Sequence, residues 1–239
     1  MMVLPWEVSD LHPHALSLMD EDALGAEFAV ALHADLDSMN PPPVIHRYRC
    51  VLPEGCETET LIEAGFHVTR LTRIVDLPVS AADHALLRAP MPTHIAPHWF
   101  RTDERAPWDT WVAAHWQHYQ ALHFANPAAE PACGLNAVFV GDDLVEGLAL
   151  REGPQGRIRA FASLRTGDEI GWIGGVPDLI PLALGACLRR ATALGWSRAS
   201  LEVDDDDAPL WALLDGLGQP VTQTYVTWQL ERAAAKRPS

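Results

Sequence analysis

Cysteine is scarce in this chain, four residues in 239, and no two of Cys50, Cys56, Cys133 and Cys187 stand at a Cys-x-x-Cys spacing. That argues against a disulfide scaffold and a thiolate zinc site. Long apolar runs are also missing. No stretch is long enough to cross a bilayer, and Met1 to Asp10 has neither the basic start nor the apolar centre of a signal peptide. The expectation is a cytoplasmic protein with no membrane partner. Positive charge is the third shortage: 17 Lys and Arg face 32 Asp and Glu, a formal net charge of −15. No nucleic-acid partner is expected, because holding a phosphate backbone takes an excess of cations. Such a field attracts amines or basic peptides, although solubility is the commoner reason for it. Apolar residues are plentiful, at 48 %, enough for a packed core in one large or two small domains.

The most organised stretch runs from Asp168 to Val203. Ile170 to Val176 reads as a buried strand, a loop bounded by Pro177 and Pro181 leads into a helix, Gly195 ends that helix, and Ala199 to Val203 is a second strand. Leu184, Cys187, Leu188, Ala191 and Leu194 recur at helical spacing and form one stripe; Arg189, Arg190 and Arg198 fall off it. A strand, helix and strand in this order pack as a parallel pair with a right-handed crossover. Pro181 suits the first helical position, which would leave the N–H groups of Leu182 to Gly185 unpaired at the positive end of the helix. Ala183, Gly185 and Ala186 add little bulk there, so the helix start is a candidate diphosphate cradle. Taken alone, small residues at such a place more often permit close packing on a sheet.

Before this stretch, Ala23 to Leu36 reads as a helix introduced by Asp20 to Asp22 and stopped by Asn40 to Pro43. Val44 to Leu52 reads as a strand, Glu57 to Ala64 as a helix ended by Gly65, and His67 to Leu77 as another strand. Ser80 to Pro97 lacks periodicity and reads as a linker. Trp99 to Thr102 and a helix from about Pro107 to Phe124 follow, with Trp108, Trp111, Val112, His115, Trp116, Tyr119, Leu122 and His123 near one face. Such aromatics are usually core. His115 and His118, with His123 beyond, have no third ligand of equal claim, so no metal is expected. Ala137 to Val140, Leu144 to Arg151 and Arg157 to Leu164 read as an antiparallel meander after the loop Asn126 to Gly134. The glycines at 171, 174 and 175 weaken the central strand unless a backbone or ligand comes close. Asp204 to Asp207 reads as a solvated loop rather than a calcium site, with Asp207 capping a short helix, Leu210 to Leu217, that Gly218 closes. Thr222 to Glu231 is a last alternating strand, and Ala233 to Ser239 a frayed tail.

Gly175-Val-Pro-Asp-Leu-Ile-Pro-Leu-Ala-Leu-Gly185 resembles the acetyl-CoA loop of the Gcn5-related N-acetyltransferase (GNAT) superfamily, V-x-P-x-Y-R-G-x-G-x-G, with Pro177 and Gly185 in step. Ala191-x-x-x-Gly195, Leu201-Glu-Val203 with Asp207 four residues on, and Leu213 to Gly218 follow the family's later phrases at matching gaps. Identities depart at Ile180, Ala183, Asp207, Gln219 and Leu214, the last where the family often has the Tyr that protonates the leaving thiolate. The resemblance implies an α/β fold with a mixed, twisted sheet flanked by helices, and an N-acetyltransferase using acetyl-CoA on a small amine or peptide amine. It implies a cofactor held by Ile173, Gly174, Gly175, Ile180, Leu182, Ala183, Leu184, Gly185, Ala186 and Asp207, with the pantetheine arm along the central strand. The carbonyl oxygen would be held by a backbone N–H near Gly175, and Arg189, Arg190, Arg157 or Arg159 would offset the negative surface. Glu169 is the candidate base, with Glu146 and Glu202 as rivals; Tyr119 or Tyr225 are candidates for the missing acid. Residues 86–239 would form this domain. Residues 1–85, with the phrase Leu61-x-x-Ala-Gly-Phe66, resemble the back half of the same fold without a cofactor site, in a covering role or forming a homodimer. The departures leave open a second reading, a GNAT-fold binding or scaffolding protein that has lost catalysis.

Overall fold

Strands made from short alternating runs dominate the chain. The computed structural model describes residues 4, 6–18, 31–32, 34–36, 45, 47–55, 58–101, 108–123, 127–153 and 156–231. The expected acidic helix start at Asp20 to Asp22, most of the helix after it, the prolines at 41–43 and the tail from Ala233 lie outside these residues. The chain divides into two units: Met1–Thr72, Phe124–Pro131 and Gln223–Ser239 form one, Arg73–His123 and Ala132–Thr222 the other.

The first unit holds β1 (Glu7–Val8), β2 (Ala15–Leu18), β3 (Arg47–Pro53), helix α1 (Glu59–Glu63), the first half of β4 (His67–Pro78) and most of β10 (Val221–Glu231). β2 runs parallel to β3, and β10 runs antiparallel to β3 from Tyr225↔Pro53 to Glu231↔Arg47. That ladder is why the residues from Gln223 group with the first unit, whose first segment ends at Thr72 where the resemblance implied a boundary near 85. Leu18, Leu32, Cys50, Leu52, Leu61, Phe66 and Trp228 close its core. Gly65, at φ 89°, ends α1 and turns the chain into β4.

In the second unit β5 (Ile95–Phe100), β6 (Leu144–Glu152), β7 (Ile158–Arg165) and β8 (Glu169–Gly175) are successively antiparallel, and β9 (Arg198–Asp204) runs parallel to β8. The sheet is therefore mixed. Helices α2 (Trp108–Leu122), α3 (Leu135–Phe139), α4 (Ile180–Ala193) and α5 (Ala208–Leu217) complete it. Along β7 the residues alternate between faces: Ala160, Ala162 and Leu164 enter the core beneath α4, while Phe161 meets the rings of α2. So α2 and α4 flank opposite faces of the sheet. At the end of α5, Asp207 caps with its side chain on the Leu210 N–H and Gly218 turns left-handed, as the sequence indicates.

Two expectations are corrected here. The stretch Ser80 to Pro97 is not a linker: Val79–Asp83 and Ala85–Leu87 form 3-10 turns, and Ala81, Ala82 and Leu87 are buried in the same core as α4. Their apolar residues are too few to show a period, yet they pack. Ala137 to Val140 lies not in a strand but in α3 and its cap, where Gly134 at φ 84° turns the chain and Phe139 is fully buried. Four apolar residues cannot distinguish the two. Among the described residues no helix is long and apolar enough to cross a membrane.

Candidate functional site

The middle of β8 is irregular. Phe161 and Ser163 of β7 pair with Gly174 and Gly171, so β8 carries an extra residue over this span, a bulge. Trp172 sits in it at φ 54°, a left-handed conformation that costs a tryptophan about 1–2 kcal/mol. Tyr119 and Phe139 hold its ring, at centroid distances of 5.5 and 5.0 Å. On the other side β8 pairs with β9 only at Glu169↔Ser200. The two strands then part, and neither Trp172 nor Ile173 has a partner across either ladder.

A cavity of about 270 Å³ lies at this parting, walled by α2, β8, β9 and the start of α5. Four carboxylates, Glu169, Glu202, Asp204 and Asp207, line it with Arg165, His118, His123, Tyr119 and Trp172. Arg165 is tied to Asp143 and to the Phe139 carbonyl. A second cavity, about 550 Å³, is lined by α2, Arg157, Arg159 and Gly175 to Pro177, without a carboxylate. Arg159 pairs with Glu152 at its rim. Gly175, at φ 124°, brings β8 against the Arg159 carbonyl, where a side chain would clash.

One residue, His118, lines both cavities. Its Nε2 is 3.3 Å from Asp207 Oδ2, and its ring lies so close to β8 that a Cβ at Gly174 would stand 2.6 Å from Nε2. The His118 side chain is 23 % exposed and that of Asp207 5 %. His115, three residues earlier, faces the protein instead. Its ring lies tilted against those of Trp111 and Phe161, its Nδ1 donates to the Trp111 carbonyl at 3.0 Å, and burial pushes its pKa down to about 3. Among the described residues no three His, Cys, Asp or Glu side chains are grouped to hold a metal.

Of the residues singled out in the sequence, Glu169, Ile173 and Asp207 line the acidic cavity, Gly175 the basic one, and Gly174 underlies His118. Ile180, Leu182, Ala183, Leu184 and Gly185 are buried in the core, and Ala186 packs on it. The expected helix start at Pro181 is corrected. A 3-10 turn, Pro177–Leu179, precedes α4, which begins at Ile180 rather than Pro181. Leu179 and Ile180 N–H bond to Val176 and Pro177 carbonyls, and Ala183, Leu184 and Gly185 are far enough into the helix to bond within it. A Cβ at Gly185 would meet the Leu87 carbonyl oxygen at 2.8 Å. The small residues there serve packing. Glu146, a rival base, is buried with both oxygens held by Arg190 at 2.5 and 2.6 Å, and Glu202 lines the cavity. Leu214 is in the core, and Tyr119 is at the cavity wall. Sequence reasoning weighed His118 only as a metal ligand and passed over Trp172; the cluster of strand glycines was the one signal near them.

No protein-family model matches this chain, and no curated protein matches it either. Solved structures do. A GCN5-related N-acetyltransferase from Sphaerobacter thermophilus is 15 % identical, with TM-score 0.57 over 95 % of this chain and 76 % of its own. One from Kribbella flavida is 16 % identical, with TM-score 0.53 over 96 % and 88 %. A tandem GNAT protein from the clavulanic acid biosynthesis pathway is 13 % identical, with TM-score 0.56 over 94 % and 77 %. The fold of this chain is that of the GNAT acetyltransferases.

Proposed function

We propose that this protein transfers an acetyl group from acetyl-CoA to an amine of a cationic small molecule or peptide. The observation that carries the reading is the parting of β8 and β9 around the bulge at Trp172, between a cavity lined by arginines and one lined by carboxylates. Acetyl-CoA would supply the thioester. Its anionic diphosphate suits Arg157 and Arg159 better than the start of α4, where the Leu179 and Ile180 amides are bonded to protein carbonyls. Ile173, Gly174 and Gly175 would flank the pantetheine arm. The N–H groups of Trp172 and Ile173, which lie outside both strand ladders, would hold the carbonyl oxygen as it gains charge. Glu169 and Glu202 would draw in an ammonium, and Tyr119 would stand in for the tyrosine that Leu214 replaces. The chain would be a tandem protein, as one of its structural neighbours is, and its first unit would hold no cofactor.

Calorimetric titration with acetyl-CoA tests this, followed by thiol release over a panel of primary amines. Replacing Arg157 and Arg159 together by Ser should weaken acetyl-CoA binding about tenfold or more, since each charged contact is worth roughly 1.5–3 kcal/mol. No heat from the wild-type protein at millimolar acetyl-CoA removes the transferase reading. A second reading, an amine-binding GNAT-fold protein without catalysis, is favoured by the tightly packed Gly185 in α4 and buried Leu214. Binding of amines without binding of acetyl-CoA would establish it.

A further inference from the structure

Resting on the transferase reading, we propose that His118 is the base that takes a proton from the acceptor ammonium, with Asp207 as its positioning residue. Two carboxylates remain at the acidic cavity as rivals, Glu169 and Glu202. Glu169 stands where β8 and β9 are still paired, at the closed end of the parting. His118 lies across the bulge from it, against Gly174, and is the side chain that the two cavities share. An amine in the acidic cavity and a thioester reaching in from the basic one meet beside this imidazole.

The Asp207 contact sets how the ring can act. A carboxylate only accepts, and Asp207 already takes the Leu210 N–H on Oδ1 at 3.2 Å, so Oδ2 receives the hydrogen on His118 Nε2. That leaves Nδ1 with its lone pair. The charged and titratable groups that face His118 or share its two cavities are His115 on its own helix, His123 just past that helix, Arg157, Arg159 and Arg165 from β7 and its approach, Glu169 from β8, Glu202 and Asp204 from β9, and Asp207 before α5. The acids outnumber His118 on the side where a cation would enter. In the reaction, His118 removes one proton from R–NH3+, and the freed nitrogen attacks the thioester carbonyl carbon. The C–S bond breaks, the second proton lost by nitrogen ends on the thiol, and His118 gives its proton to water. The net products are amide, thiol and one released proton.

The test compares wild type, His118→Gln and Asp207→Asn, using acetyl-CoA and whichever amine of the panel gives the fastest thiol release. At about pH 7, His118→Gln should lose roughly 100-fold or more in rate, the scale of general-base catalysis. Its affinity for acetyl-CoA by calorimetry should stay within about threefold, a change of under 1 kcal/mol. The deficit should shrink to within about tenfold near pH 10, where about a quarter of an alkylamine is already neutral without help, against well under about 0.1 % at pH 7. Asp207→Asn keeps the helix cap and removes the charge, so it should show a smaller deficit with the same recovery. A deficit that does not change with pH, or that follows a matching loss of acetyl-CoA affinity, overturns the assignment, as does a variant that equals wild type. Should His118→Gln fail to fold, Asp207→Asn decides between these outcomes. Acetyl-CoA that does not bind to wild type overturns the transferase reading, and the base with it; binding and turnover unaffected by either substitution overturn the base alone.

Discussion

Between Trp111 and Phe161 the imidazole of His115 has no water to solvate a charge, and so its pKa lies near 3 in the fold against 6.5 for the free side chain. The unfolded chain therefore binds a proton at this site that the folded one refuses. Stability should fall as pH drops through about 6.5 toward 3, by about 1.4 kcal/mol per pH unit for one such group. Urea unfolding midpoints over that range, in wild type and His115→Leu, read the effect directly. The variant should lose this acid limb; an equally steep limb in both would place the cause in other groups. Residues such as Asp207 were legible from sequence because a helix cap is a local device. Its second role was not, since His118 lies 89 positions away and only the fold brings the two together.

Helix α4 shows the same division at the level of an element. Its apolar stripe, its end near Gly195 and the strand after it were all readable from period and breakers. Its beginning was not, because a 3-10 turn before the second proline takes up the Leu179 and Ile180 amides and starts the helix one residue early. The element packed on it was equally hidden, for the turns around Ala81 and Leu87 carry no period. Gly185 is the measurable consequence. Gly185→Ala should destabilise the protein by about 1–3 kcal/mol, the usual effect of forcing a methyl against fixed backbone, with acetyl-CoA affinity unchanged. Thermal unfolding and calorimetry together check it. Weakened binding at unchanged stability would return the small residues to a cofactor role.

Across the whole molecule the net charge of −15 is unevenly used, since arginines line one cavity and acids the other. Salt screens the long-range pull of such a surface on a cation. The KM for a cationic amine should therefore rise severalfold between about 0.05 and 0.5 M salt, while that for an uncharged, weakly basic amine stays level. Equal responses would mean that the field plays no part in capture. A different consequence comes from β10, the partner of β3 in the first unit. Synthesis proceeds from the amino end, and domains usually fold in that order. Here the opening portion of the chain must wait, its β3 edge uncovered, until a strand translated more than 160 residues later arrives to close it. Ribosome-bound intermediates should thus hold the later-made unit already protected from proteases while the earlier-made one is still open to them.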